Sequence, residues 1–314
     1  MNTFASFFRP FMNPVISQIS FHGSSINCYR WGEGAEIIVA LHGFGESGKS
    51  FAHWGRSLPQ GFTLFAPDLP FHGSSTWQEG KPFTVAHLRD LIGEITSGAG
   101  GATGRSGPTA ATAARVPATE ARGAATEVRT APGRSFTLCG YSMGGRLSLH
   151  FYQHFPELVN RLVLVAPDGL KVNFWYWLST QTRLGNRFFH YTMEHPGWFL
   201  GSVKRLGQYG ILNKGVVKYT RRYLGEADNR RALYTIWTCM RHFSPDLRLI
   251  KALIRLRRSE VRMIFGQYDQ IIRPSQGYRF LRNIGGHCTL RELPTGHQLL
   301  LPAFSGPCLQ IVTG

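Results

Sequence analysis

The stretch Phe136-Thr-Leu-Cys-Gly-Tyr-Ser142-Met-Gly-Gly-Arg-Leu-Ser148 decides the reading of this chain. Phe136 to Cys139 is a short apolar run suited to a buried strand. Gly140 to Gly144 is a sharp turn, and the residues from Gly145 onward have helical periodicity. A Gly-x-Ser-x-Gly between strand and helix has a mechanical meaning. The turn holds Ser142 in a strained backbone conformation, and only glycines two before and two after it let strand and helix pass so closely. The hydroxyl then stands at the carboxyl end of a sheet, with a helix N-terminus behind it to stabilise developing negative charge. The pattern alone recurs by chance in glycine-rich loops, so its weight comes from the strand and helix around it.

Working outward, five further stretches matter. Val15 to Trp31 reads as two short strands joined at His22-Gly-Ser-Ser, a hairpin signal. Glu36-Ile-Ile-Val-Ala-Leu-His42 is a continuous apolar run suited to a strand buried on both faces, and it delivers Gly43-Phe44-Gly45. Leu64-Phe-Ala-Pro-Asp68 is another strand, followed by His72-Gly-Ser-Ser75. Val261-Arg-Met-Ile-Phe265 leads to Gly-Gln-Tyr-Asp269 with an apolar pair and Pro274 beyond, and Leu290-Arg-Glu-Leu leads to a Gly296-His297 turn. The chemistry-bearing residues thus fall in the chain order Ser142, Asp269, His297.

Together these motifs resemble the α/β-hydrolase family, over about Ile16 to Leu301, and they are specific for the superfamily while nearly silent on substrate. The resemblance implies a mostly parallel central sheet with N-terminal hairpin strands and an inserted all-helical cap. It implies a catalytic triad of Ser142, Asp269 and His297, and an oxyanion hole formed by the backbone N–H groups of Phe44 and Met143. Two donors aimed at one point are what a tetrahedral oxyanion requires. In this family Asp68 is a loop-anchoring residue, and the His42 side chain is read as fixing its own loop through backbone bonds. Asp168, after the apolar strand Leu162–Ala166, stands at a strand end and is an alternative triad acid.

A competing motif follows the strand Glu36–His42. Gly43-Phe-Gly-Glu-Ser-Gly48-Lys49-Ser50 fits the phosphate-cradling loop of nucleotide triphosphatases. Against it, a hairpin precedes the supposed first strand, and Ser142, Asp269 and His297 would be left without explanation.

The expected organisation is a core of residues 1–170 and 249–314, with a helical cap over 171–248. From Lys171 to Arg248 the chain shows helical patterns, aromatic clusters such as Asn173-Phe-Trp-Tyr-Trp-Leu, and no strand signal. Those aromatics are expected mainly to pack cap against core, with some lining an apolar pocket over Ser142. Histidines 190, 195 and 242 fall there without zinc-like spacing. Thr84 to Ile95 reads as a helix with Thr84 as N-cap and Val85, Leu88, Leu91, Ile92 and Ile95 on one face. Residues 97–134 are rich in Ala, Thr, Gly, Pro and Arg with almost no large apolar side chain, the composition of a disordered insertion. After His297 the family normally closes with a helix. Here Pro302, Gly306 and Pro307 weaken that pattern, so an irregular tail is expected.

Composition agrees with a globular protein. The 314 residues are 43% hydrophobic, and no apolar run is long enough to cross a bilayer. The aromatic N-terminus lacks a basic head and a small-residue cleavage site, so no signal peptide is read. Five scattered cysteines argue for free thiols, and a cytoplasmic protein is expected. The net charge of +17 thickens as paired basic residues between Lys204 and Arg258, without any nucleic-acid-binding signature. Expected partners are therefore a small-molecule acyl substrate, anionic or lipid-like, with peripheral contact to an acidic membrane as a further option; nucleic acid is disfavoured.

The functional expectation is a carboxylesterase-like serine hydrolase (EC 3.1) working through an acyl-enzyme, with no metal or organic cofactor required. A carbon–carbon bond hydrolase or an acyltransferase on the same triad is the alternative. A non-catalytic binding module or a nucleotide-binding protein using Gly43–Ser50 stand behind it. A serine nucleophile in place of aspartate disfavours dehalogenase and epoxide hydrolase chemistry.

Overall fold

The protein is described by a computed structural model covering residues 13–78, 80–97, 135–171, 174–212, 217, 220 and 224–314. The 98–134 stretch read as a disordered insertion lies outside the described residues, apart from Ser97, which ends a helix.

Eight strands form one sheet: β1 (Val15–Phe21), β2 (Ser24–Trp31), β3 (Glu36–Leu41), β4 (Phe62–Pro67), β5 (Phe136–Tyr141), β6 (Val159–Val165), β7 (Glu260–Gly266) and β8 (Cys288–Leu293). Their spatial order is β1-β2-β4-β3-β5-β6-β7-β8. β1 pairs with β2 and β2 with β4 in antiparallel fashion, and the remaining pairs are parallel. The hairpin turns at His22 and Gly23, with φ of 49° and 72°, the left-handed pair that a two-residue connection needs to match strand twist. The strand order reverses about β3, and in an open α/β sheet the crevice beyond the carboxyl ends at such a point is where ligands bind.

The central strands read as continuous apolar runs because both sheet faces are covered. On one face pack α2 (Val85–Ser97), α3 (Met143–His154) and a later helix, Leu247–Arg257, through Leu88, Leu91, Leu147, Phe151, Ile250 and Ile254. On the other pack α1 (Ala52–Arg56) and the C-terminal helix Pro302–Thr313, through Trp54, Cys308, Leu309 and Val312. The cap of α2 is the expected one: the Thr84 hydroxyl accepts from the His87 N–H at 3.3 Å, and His87 Nδ1 returns a bond from the Thr84 N–H at 3.2 Å.

Between β6 and β7 the described residues fall into helices joined by turns. They form α4 (Phe174–Gln181), α5 (Arg183–Glu194), α6 (Gly197–Gln208) and α7 (Ala227–Cys239), followed by α8, the Leu247–Arg257 helix already on the core. A small apolar cluster of Phe189, Met193, Leu224 and Leu233 holds them together and touches Phe44 of the main body. The aromatics of this insertion divide differently from expectation. Phe174, Trp175, Phe188 and Trp198 are exposed, at 58, 73, 56 and 46%. Few positions of these helices are buried, Thr180 in α4, Phe189, Thr192 and Met193 in α5 and Val203 in α6, so much of their aromatic surface faces outward.

The C-terminal expectation is corrected. After α9 (Pro274–Leu281) and β8, residues 302–313 form a helix, α10, in spite of Pro307. Pro302 occupies the first helical position, where a missing N–H costs nothing. Ser305, Cys308, Leu309 and Val312 recur at helical spacing against the sheet. The last carbonyls are held by cations: Arg161 Nη1 donates to Val312 O at 3.1 Å and Arg262 Nη1 to Ile311 O at 2.6 Å. Tertiary contacts thus offset the hydrogen bond that Pro307 removes. Among the described residues, no helix is long and apolar enough to cross a membrane.

Candidate active site

Ser142 joins β5 to α3 with φ 51° and ψ −114°, a left-handed conformation that a residue with a side chain avoids unless its surroundings force it. The forcing is visible in the flanking glycines. A Cβ on Gly140 would lie 2.4 Å from Gly144 O, and a Cβ on Gly144 would lie 2.0 Å from Leu41 O. Strand, turn and helix therefore close on one another only without those side chains. The Ser142 N–H bonds to Val165 O at 3.0 Å, and its carbonyl accepts from Asp168 N at 2.8 Å, so β6 braces the turn.

Two other strand ends bring side chains to the same place. Beyond β7, Asp269 is 2% exposed. Its Oδ1 accepts from the N–H groups of Ile271 and Ile272 at 2.7 and 3.0 Å, leaving Oδ2 to meet His297 Nδ1 at 2.7 Å. Beyond β8, His297 turns its Nε2 to Ser142 Oγ at 3.1 Å. A carboxylate on Nδ1 calls for a proton there, which leaves the Nε2 lone pair facing the serine hydroxyl. The His297 carbonyl accepts from Tyr141 Oη and from Leu299 N, both at 2.9 Å, so the loop is fixed from either side.

Phe44 and Met143 both line the cavity that contains Ser142. Met143 is the first residue of α3, where an N–H has no acceptor within the helix. Phe44 follows Gly43, whose Cα hydrogens face Tyr141 and Ser142 closely: a Cβ there would lie 3.1 Å from the Tyr141 ring.

The neighbouring polar residues are scaffold. His42 is fully buried; its Nε2 accepts the Leu69 N–H at 2.9 Å and its Nδ1 meets Gly43 O at 2.8 Å. Burial, with His72 nearby, lowers its pKa to about 3, so the ring is neutral. Asp68 is also fully buried and accepts from Gly48 N (2.7 Å), Ser74 N (2.9 Å) and Asn27 Nδ2 (3.0 Å). This bears on the nucleotide motif, because the Gly48 N–H, which would cradle a phosphate, is given to a carboxylate of the chain itself. Asp168 does not reach His297. It pairs with Arg146 at 3.4 Å and accepts from its neighbour Gly169 N at 2.7 Å. It is therefore corrected from alternative triad acid to a pocket residue.

The cavity over Ser142 measures about 270 Å³ and is walled by Phe44, Tyr176, Trp237, Phe243 and Ile272 among others. A second cavity of about 380 Å³ lies across Phe44, lined by Glu46, His72 and Asn229. Burial raises the pKa of Glu46, against the bond from Ser50. Sequence reading missed Arg146, Tyr141 and Glu46. Of these only Arg146 left a signal, a charge inside a helix whose neighbours are all apolar or small.

A family model described as the alpha/beta hydrolase fold matches residues 36–199. The chain belongs to that family. Curated relatives include uncharacterized proteins of Mycobacterium tuberculosis and Mycobacterium bovis, each 26% identical over 160 residues. That match covers 50% of this chain and 36% of theirs, so it spans little more than a third of those relatives. Among solved structures, a thermophilic esterase from Thermogutta terrifontis superposes with a TM-score of 0.61 at 17% identity, covering 95% of this chain and 96% of the esterase. An enol-lactonase from Burkholderia xenovorans superposes at 0.57 and 17% identity, covering 95% and 100%. At these identities the likeness is one of fold.

Proposed function

We propose that this chain is a serine hydrolase that cleaves a carboxylic ester or a related acyl bond. Ser142 is the nucleophile, His297 the general base and acid, and Asp269 the carboxylate that orients the imidazole. The observation that carries the reading is the unbroken line of contacts from Asp269 Oδ2 to His297 Nδ1 (2.7 Å) and from His297 Nε2 to Ser142 Oγ (3.1 Å). Family membership supports hydrolase activity as the general class.

His297 Nε2 takes the Ser142 proton as Oγ attacks the carbonyl carbon. The negative charge gathers on the carbonyl oxygen, where the Phe44 and Met143 N–H groups and the N-terminus of α3 hold it. Collapse expels the alkoxide, which leaves with the proton from His297, and the acyl group stays on Ser142. Water, deprotonated by the same Nε2, attacks the acyl-enzyme and releases the acid. Asp269 remains ionised and supports the imidazolium that forms at each step. The helices between β6 and β7 act as a cap whose Tyr176 and Trp237 wall an apolar acyl site.

Hydrolysis of short-chain p-nitrophenyl esters tests the reading. Ser142→Ala and His297→Ala should each lower kcat by about a thousandfold or more, since triad members act as a unit. Retention of full rate by folded Ser142→Ala would sink it.

A further inference from the structure

Arg146 is the anomaly of the pocket. It stands in the first turn of α3, four residues after Ser142, and both residues line the same cavity. Its residue is 6% exposed, an arginine almost wholly taken out of water. A guanidinium offers five N–H donors, and a buried one needs most of them satisfied. Here Nη1 meets Asp168 Oδ2 at 3.4 Å, looser than the 2.7–2.9 Å of a tight charge-assisted bond. Nε is buried and has no hydrogen-bond partner. The guanidinium carbon lies 4.2 Å from the centroid of the Tyr176 ring, which holds the plane in place from one side. Gly169, at φ 93°, passes over the stem so closely that a Cβ there would come within 3.1 Å of Arg146 Cγ. The group is thus fixed by Tyr176, while its Nε has no partner and its Nη1 is held only loosely by Asp168. Asp168 is bound in part elsewhere, through Gly169 N, and its side chain is 40% exposed. Lys171 adds a second cation to the cavity lining, against Asp168 as the one acid there among the described residues.

We propose that Arg146 anchors a carboxylate subsite, so that the substrate is an ester carrying its own carboxylate. This rests on the reading of Ser142 as nucleophile. The carboxylate of the ligand takes the guanidinium edge that Asp168 holds only loosely, Lys171 adds charge, and the scissile carbonyl is placed at Ser142 by the intervening chain. Arginine suits this role because its planar fork matches a carboxylate and Tyr176 keeps that fork oriented.

The experiment compares kcat/KM for monoethyl succinate, glutarate and adipate with that for ethyl butyrate, valerate and hexanoate. Wild-type protein should favour at least one half-ester over its neutral counterpart by about tenfold or more, the scale of one charge-assisted pair. Arg146→Met, which keeps the stem and removes the charge, should collapse that ratio towards one. Asp168→Asn should raise it, because an internal competitor is gone. Should Arg146→Met fail to fold, Asp168→Asn and inhibition of the wild type by glutarate against its diamide decide the matter. No half-ester preference in the wild type, a preference that survives Arg146→Met, a ratio lowered by Asp168→Asn, or equal inhibition by glutarate and its diamide each overturns the subsite. A wild-type protein that shows no half-ester preference yet is labelled at Ser142 by a fluorophosphonate loses the subsite only. One that is not labelled loses the nucleophile reading itself.

Discussion

The Tyr141 hydroxyl donates to the backbone carbonyl of His297 at 2.9 Å, and the two rings lie 5.4 Å apart between centroids. The residue before the proposed nucleophile therefore holds the loop that carries the proposed base, across 156 residues of sequence. Serine and histidine are registered to each other through the Tyr141 side chain as well as by their own contact.

Tyr141→Phe removes that hydroxyl and keeps the ring. One neutral hydrogen bond is worth about 1 kcal/mol, so kcat on an ester should fall by about three- to tenfold with little change in KM. Steady-state kinetics check this, and an unchanged kcat would mean that Leu299 alone fixes the loop.

Glycine positions give a matched pair of stability predictions. Gly144→Ala drives a Cβ to 2.0 Å from Leu41 O, backbone against backbone, and should cost at least about 3 kcal/mol in urea unfolding. Gly93→Ala sits exposed in α2 with nothing within 4 Å of its Cβ. It should stabilise the protein by about 0.5–1 kcal/mol, since glycine in a helix interior carries an entropic cost. Equal effects from the two would contradict the close approach at the turn.

Much of this was legible in the sequence, and the reasons differ by residue. The Gly140–Gly144 frame, the strand ends at Asp269 and His297, and the anchoring of Asp68 follow from short-range steric and hydrogen-bonding demands that fix residue type locally. The C-terminal helix was not legible, because its stability comes from Arg161, Arg262 and sheet contacts far away in sequence rather than from its own propensity. The Asp168–Arg146 pair was hidden for the same reason: only the folded chain shows that Asp168 turns to α3 and away from His297. The outward aromatics of α4 to α6 were misjudged because a helix stripe gives a period but not which side meets the core.

Asp68 and Lys49 separate scaffold from nucleotide chemistry. Asp68→Ala leaves the Gly48, Ser74 and Asn27 donors without their acceptor and should lower stability by about 3 kcal/mol. Lys49→Ala should leave ester hydrolysis unchanged, and ATP with Mg²⁺ should not shift the Tm of the wild type. A rise in Tm with ATP that Lys49→Ala abolishes would revive the phosphate-loop reading.

Stability should fall on acidification. Burial lowers the pKa of His42 from 6.5 to about 3, and lowers that of His72 as well. Below pH 6.5 the unfolded chain takes up protons at these sites while the folded chain does not. The stabilisation is therefore complete above the unfolded value and is lost as pH falls towards the folded one. The slope is about 1.4 kcal/mol per pH unit for each ring over its window. Tm measured from pH 7.5 to 4.5 should drop steadily, and a flat profile between pH 7 and 5 would contradict neutral buried rings.

The central claim is that Ser142 is activated through His297. Treating the intact protein with a fluorophosphonate and mapping the adduct by mass spectrometry tests this most directly. The account predicts one adduct, on Ser142, lost in Ser142→Ala and strongly slowed in His297→Ala. A folded wild-type protein that takes no label, or takes it equally in both variants, would contradict it.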